Sequence, residues 1–328
     1  MNLNVISILC GVVFAGSVTV AAAESEKVLV VMSYEQDNPW CQEIKQGIDS
    51  VLADKTDLTY FYMDTKVDPA NGPAKAAEAL EVYQKLQPQG VIAIDDNAQS
   101  MFVVPSLKDQ VETPVMFAGV NSAADKYGYP NAHISGILER AHVHESLAFA
   151  KQLMPKIQSA CFMTNDVSSG QALNKQVATE MAAYPVKVHK FFRVKSAAEI
   201  DSVKSEMNAA CDVLFVDSLE GIKSPAGEPM DNRTVLSYLK SQYNKPVLGG
   251  NRYQVEQGAW AAVVKTGQEQ GETSAEMLLK AMQGVTVADI PVVKNTKGER
   301  IVNVTALDSH DVPLKPLALR GATLVRQK

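Results

Sequence analysis

Residues 28–40 read VLVVMSYEQDNPW. Five apolar residues, 28–32, stop abruptly at Ser33, Tyr34, Glu35, Gln36, Asp37 and Asn38, and Pro39 and Trp40 follow. An unbroken apolar run of this length reads as a strand buried on both faces. Pro39 suits a first helical turn, and Trp40, Ile44, Gly47, Ile48 and Val51 then recur at helical spacing. The stretch predicts a buried strand, a polar turn and a helix. In open parallel sheets, ligands sit beyond the carboxyl ends of the strands. The polar cluster at 33–38 therefore falls where a site belongs.

The same unit recurs along the chain. Strand-like runs at 59–63, 91–94 and 114–118 belong to a first series, with a helix at 73–86. A second series has strands at 160–163, 186–192, 213–216 and 246–248, with helices at 171–181, 197–209 and 234–242. Two such series of about 100 residues each predict two α/β domains of one architecture, each a parallel sheet covered by helices.

Composition narrows the class. The 328 residues are 46% hydrophobic and 21% charged, which is globular, and the formal net charge is -6 with no basic block. That balance argues against a nucleic-acid partner. Residues 1–23 carry no charge: an apolar stretch at 5–20 leads to Ala21, Ala22 and Ala23, and Glu24 follows. This predicts a signal peptide over 1–23, cleaved after Ala23, and an exported, periplasmic mature chain. Cys10 is preceded by Ser-Ile-Leu rather than small residues, which argues against a lipid anchor. Cys41, Cys161 and Cys211 remain, and an odd count leaves one thiol unpaired within the chain.

Five phrases, in order, carry a family resemblance. VLVVMSYEQDNPWCQEIKQGI (28–48) and GVIAIDDNAQSMFVVPSLKDQVETPVMFAGVN (90–121) resemble segments of ABC-transporter substrate-binding proteins of the tryptophan- and aromatic-amino-acid-binding type. They also resemble related extracellular sensor domains, in which His often stands at the position of Met32. ISGILERAHVHESLAFAKQLMPKIQ (134–158) looks like the family's inter-lobe crossing, and GQEQGETSAEMLLKAMQGVTVADIPV (267–292) is similar to a segment of type I periplasmic binding proteins generally. IVNVTALDSHDVPLKPLALRGATLV (301–325) resembles the family's C-terminal end. The resemblance implies two Rossmann-like lobes, the type I periplasmic binding protein fold, with a hinge of three crossovers. The expected division is 24–135 and 259–289 in lobe one, 136–258 and 290–328 in lobe two.

Catalytic signatures are missing. His142 and His144 are two apart and do not share a helical face, so no metal pair is expected. Ser168-Ser169-Gly170 lacks the glycine that precedes the serine of a nucleophile elbow, and no phosphate loop occurs. The expectation is a non-enzymatic binding protein with no metal or cofactor.

The strand-end rule and the resemblance nominate the same binding residues. In lobe one these are Ser33, Tyr34, Glu35, Trp40, Asp95, Asp96, Asn97 and Asn121; in lobe two they are Asp166, Ser168, Ser169, Asp217, Asn251 and Arg252. Tyr34 and Trp40 either stack on a ligand or pack the first helix on its strand. Asp217 is placed for an ammonium or hydroxyl, and Arg252 either pairs with Glu256 or clamps a carboxylate. Asp96 or Asn97, and Ser168 or Ser169, are also helix caps by type. In doubly wound sheets the first and third strands are neighbours. Cys161 and Cys211 head those strands in lobe two, so a Cys161–Cys211 disulfide is predicted. The functional expectation is a monomeric solute-binding protein that closes on a small amino-acid-like or aromatic ligand and delivers it to an ABC permease. The alternatives are a ligand sensor docking on a membrane kinase or cyclase, and a sugar or nucleoside as ligand.

Overall fold

The structure, a computed structural model, describes residues 25–326; the expected leader at 1–23 lies outside them. The first series forms β1 (Glu26–Met32), β2 (Thr56–Tyr62), β3 (Gly90–Ile94), β4 (Val115–Val120) and β5 (Ile134–Leu138). The second forms β6 (Ser159–Asn165), β7 (Lys187–Val194), β8 (Val213–Val216), β9 (Val247–Gly249) and β10 (Ala261–Lys265). β11 (Val293–Lys294), β12 (Gly298–Asn303) and β13 (Ala322–Val325) follow.

These make two sheets, ordered β11-β5-β4-β3-β1-β2 and β13-β12-β10-β9-β8-β6-β7. Every pairing is parallel except β10 with β12. This is the two-lobed α/β fold expected from the alternating pattern. Residues 28–32 are wholly buried, as an unbroken apolar run requires.

The helix Pro39–Leu52 begins where the sequence placed it. Asn38 accepts from the Trp40 N–H at 3.0 Å, and Pro39 fills the first turn, where no amide partner is needed. Its apolar face, Cys41, Ile44, Ile48 and Leu52, turns inward. It lies against the helix Gly267–Met282, which returns from the far end of the chain. The two backbones nearly touch: a Cβ on Gly271 would stand 2.1 Å from the Ile44 carbonyl, and one on Gly47 2.3 Å from the Gln268 carbonyl. Glycine is required on both sides.

The lobe boundaries differ from the expected ones at three strands. The 135/136 boundary cuts through β5, which pairs with β4 and stays in the first sheet, because its apolar run completes that core. β10, expected in lobe one, pairs with β9 and β12 in the second sheet. β11, expected in lobe two, pairs with β5 in the first. The chain therefore passes between sheets after β5, after β10 and after β11.

The three passages are tied together by polar contacts. Glu139, just past β5, and Lys265, ending β10, form an ion pair at 2.8 Å with side chains 7% and 9% exposed. Asn295, just past β11, accepts from the Arg140 N–H at 2.6 Å and donates to the Arg140 carbonyl at 3.1 Å. Glu269 accepts the N–H groups of Thr296 and Lys297, anchoring the third passage to the helix Gly267–Met282.

In lobe two, Cys161 of β6 and Cys211, which caps the helix Ala197–Ala210, are joined by a disulfide, with Cα atoms 5.6 Å apart. β6 and β8 are neighbours, as the doubly wound order requires. Cys41 is a buried free thiol on the inner face of the first helix.

Four outcomes are expected. Alkylating unfolded, unreduced mature protein should label Cys41 and leave Cys161 and Cys211 unmodified. The bond closes a separation of 50 residues, so replacing both cysteines with alanine should cost about 4 kcal/mol in urea unfolding. Gly271→Ala should destabilise by on the order of 3 kcal/mol, because neither helix backbone can give way. Lys265→Met should cost roughly 3–5 kcal/mol by stranding a buried Glu139 carboxylate, whereas Glu139→Leu with Lys265→Met should cost less than Lys265→Met alone. Additive costs in that double-mutant cycle would show that the pair is not coupled.

Candidate ligand-binding site

The carboxyl ends of β1 and β3 lie side by side and carry most of the residues expected in lobe one. Several of them build the rim. Ser33 is fully buried; its hydroxyl donates to the Ile94 carbonyl at 2.6 Å and accepts from the Ala98 N–H at 2.8 Å. Glu35 accepts the Lys66 and Val67 N–H groups at 3.1 and 2.8 Å, and Asn97 donates to the Thr65 hydroxyl at 2.9 Å. Asp96 accepts the Asn121 and Ser122 N–H groups and the Tyr127 hydroxyl at 2.9, 3.2 and 2.6 Å, which fixes the loop after β4. The Asn121 amide donates to the Gly119 carbonyl at 3.3 Å.

Tyr34, Trp40 and Asp95 converge. The Trp40 indole donates to Asp95 Oδ1 at 3.2 Å. Tyr34 and Trp40 are half-buried against the lobe-one core, and Lys66 Nζ lies 5.1 Å from the centre of the Tyr34 ring. Asp95 is 2% exposed, adopts a left-handed backbone with φ 66°, and has no hydrogen-bond partner at Oδ2. Burial, then the Glu139 charge, raises its carboxyl well above the usual carboxylate range. The negative charge of Asp95, followed by burial, raises the Tyr34 phenol in turn.

In lobe two, Asp217 follows β8 and is nearly buried. Its Oδ1 accepts from the Ser218 N–H and the Asn251 amide, both at 2.7 Å, while Oδ2 lies 4.0 Å from Lys265 Nζ. Asn251 also caps the short helix Arg252–Glu256 in a reciprocal box with Gln254. Arg252 is bonded to Glu299 of β12 and stands 4.0 Å from Glu256, so its guanidinium is already engaged by carboxylates. Asp166 accepts from Gln171 and Arg193 at 3.2 and 2.9 Å and lies 3.3 Å from Lys195 Nζ. These partners, the Gln171 hydrogen bond foremost, hold its carboxyl below the ordinary value. Ser168 opens the helix Ser168–Glu180, and the exposed Ser169 accepts from the Ser218 hydroxyl at 2.9 Å.

Three charged residues at the junction were not among those expected: Glu139, Arg140 and Lys265. Arg140 Nη1 donates to the carbonyls of Val120, Asn121 and Glu139 at 3.2, 3.1 and 2.5 Å, which sets its guanidinium beside Asn121. All three end or follow buried apolar runs, so the strand-end rule that nominated Asp95 and Asp217 applies to them too. Glu139 at 2.8 Å and Asp217 at 4.0 Å thus flank one ammonium, that of Lys265, and the charge of Asp95 acts on it as well. Glu139 is raised by burial against the opposing pull of Lys265, and Lys265 is raised by Glu139 and Asp217 against its own burial. A junction with more carboxylates than cations suits a cationic group. Among the described residues, no group of three His, Cys, Asp or Glu side chains is arranged to hold a metal ion. A separate concavity of about 550 Å³, lined among others by Thr266, Lys297, Arg300 and Arg320, contains none of the expected residues.

Comparison with known proteins agrees with this architecture. The chain is 22% identical over 289 residues to a tyrosine-binding protein of Clostridioides difficile, covering 84% of this chain and 79% of that one. The fold matches that of an ABC domain from Streptococcus pneumonia in complex with L-Trp, with a TM-score of 0.66 at 19% identity, over 92% of this chain and all of that one. It also matches a ligand-free, open substrate-binding protein with adhesive properties from Clostridium difficile, with a TM-score of 0.70 at 17% identity, again over 92% of this chain and all of that one. No described helix is long and apolar enough to cross a membrane. The profile of the family described as ABC transporter substrate binding protein matches residues 28–325, and the chain belongs to that family.

Proposed function

We propose that the protein captures an amino-acid-like ligand with an aromatic side chain between its two lobes and hands it to an ABC permease. The observation that carries this reading is the convergence of Tyr34, Trp40 and Asp95 at the end of lobe one, with the Lys265 ammonium 4.0 Å from Asp217 of lobe two. Aromatic faces suit an aromatic side chain, and buried carboxylates suit its ammonium. The likeness to a tyrosine-binding protein and to a domain solved with L-Trp supports the same ligand class. Arg140, beside Asn121, takes the role first considered for Arg252: a guanidinium near the ligand's carboxylate.

In this reading the three passages act as a hinge, and the lobes close on the ligand by rotation about them. Ser33, Glu35, Asp96, Asn97 and Asn121 hold the lobe-one rim in shape, while Ser169 and Asn251 do so in lobe two, where Asp166 ties β6 to β7. The protein acts as a monomer, without chemistry of its own, in the periplasm after loss of its leader.

Thermal unfolding of purified mature protein tests the ligand class. L-Tyrosine or L-tryptophan at a hundred times its Kd should add about 2.7 kcal/mol of stability, while arabinose and adenosine should add none. Tyr34→Ala and Trp40→Ala should each weaken binding by about tenfold or more. Stabilisation by the sugar or nucleoside alone would replace this reading.

A further inference from the structure

We infer that Asp95 is the receptor for the ligand's ammonium group, and that Asp217 across the cleft is not. The inference rests on the amino-acid reading above and adds which side chain recognises the cationic group.

The two carboxylates differ in what they have left to offer. Asp217 uses Oδ1 for the Ser218 N–H and hydroxyl and for the Asn251 amide, and its Oδ2 faces the Lys265 ammonium. A second ammonium there would compete with a resident one. Asp95 uses only Oδ1, which accepts the Trp40 indole, and its Oδ2 has no partner although the residue is 2% exposed. A buried acceptor without a donor costs free energy until a ligand supplies one. Its position is fixed from both sides: β3 ends at Ile94, and Asp95 opens the short helix Asp95–Ala98 in a left-handed conformation. The Trp40 bond also ties this carboxylate to an aromatic wall of the same cleft.

Every element packed around Asp95 contributes to its charge state. Tyr34 and Cys41 face it from the β1 turn and first helix, Lys66 from beyond β2, and Asp96 from its own turn. Glu139 and Lys265 face it from the junction. Burial, then the Glu139 and Asp96 charges, disfavours a bare carboxylate at Asp95, and the Trp40 bond and Lys66 oppose them. An arriving ammonium donates to Oδ2 and supplies the partner that this oxygen lacks.

Titration calorimetry on mature protein tests this with two matched series. One is L-tyrosine, tyramine and 3-(4-hydroxyphenyl)propionate; the other is L-tryptophan, tryptamine and indole-3-propionate. In the series that binds, the amine-bearing compounds should bind about 100-fold more tightly than the propionate, because the analogue leaves a buried acceptor unpaired. Asp95→Asn tolerates the left-handed backbone and keeps an oxygen for Trp40. It should remove most of that preference and leave propionate binding unchanged or stronger, whereas Asp217→Asn should keep the preference. If Asp95→Asn does not fold, Asp217→Asn decides, and loss of the preference in that variant overturns the inference. Asp95→Asn binding the amines within threefold of wild type, a wild type indifferent to the ammonium, or no binding by any amine overturns the inference. Binding of tyramine or tryptamine without either amino acid would sink the amino-acid reading alone and leave Asp95 to be judged on the amine.

Discussion

The pair between Glu139 and Lys265 sits where the chain first and second passes between lobes, and both side chains are almost completely buried. Neither charge is tolerable there without the other. Glu139 follows the last long strand of the first sheet, and Lys265 ends the strand through which the chain leaves the second. The pair therefore fixes how the carboxyl edges of the two sheets face each other. Asn295 adds the third passage by binding both backbone groups of Arg140. Much of what is distinctive about the cleft follows from this junction. Glu139 and burial raise Asp95, Lys265 neutralises one side of Asp217, and Arg140 is held beside Asn121.

The arrangement also separates two jobs that similar side chains perform. Ser33, Glu35, Asp96, Asn97, Asp166 and Arg252 spend their polar atoms on neighbouring protein groups, so the strand ends keep their shape. Tyr34, Trp40 and Asp95 are left facing one another with a carboxylate oxygen unused. In the proposed reading the first group makes the cleft rigid and the second makes it selective. A hinged pair of rigid lobes then needs only a ligand that prefers the closed form to shift the population.

The sequence was most legible where one local rule decided the outcome. The run at 28–32 is buried as its lack of alternation requires, Asn38 and Pro39 open the first helix, and the doubly wound order brought Cys161 to Cys211. It was least legible where an element's partner lies far along the chain. The expected boundary at 135/136 falls inside a strand that completes the first sheet beside β4, and the chain crosses only after it. β11 is two residues long and gains its place only from β5, 155 and more residues earlier. Arg252 offered Glu256 as a local partner, while the carboxylate it bonds is Glu299 on another strand. Glu139 and Lys265 were passed over because each charge makes sense only in the company of the other. The fold, being periodic, was readable from one chain; the junction charge, being relational, was not.

A crystal structure of mature protein grown with L-tyrosine or L-tryptophan tests the central claim most directly. The account predicts ligand density between the lobes, with the aromatic ring against Tyr34 and Trp40 and the ammonium within hydrogen-bonding distance of Asp95 Oδ2. Ligand in the concavity lined by Arg300 and Arg320, or in the cleft with its ammonium on Asp217 and Asp95 untouched, would contradict it.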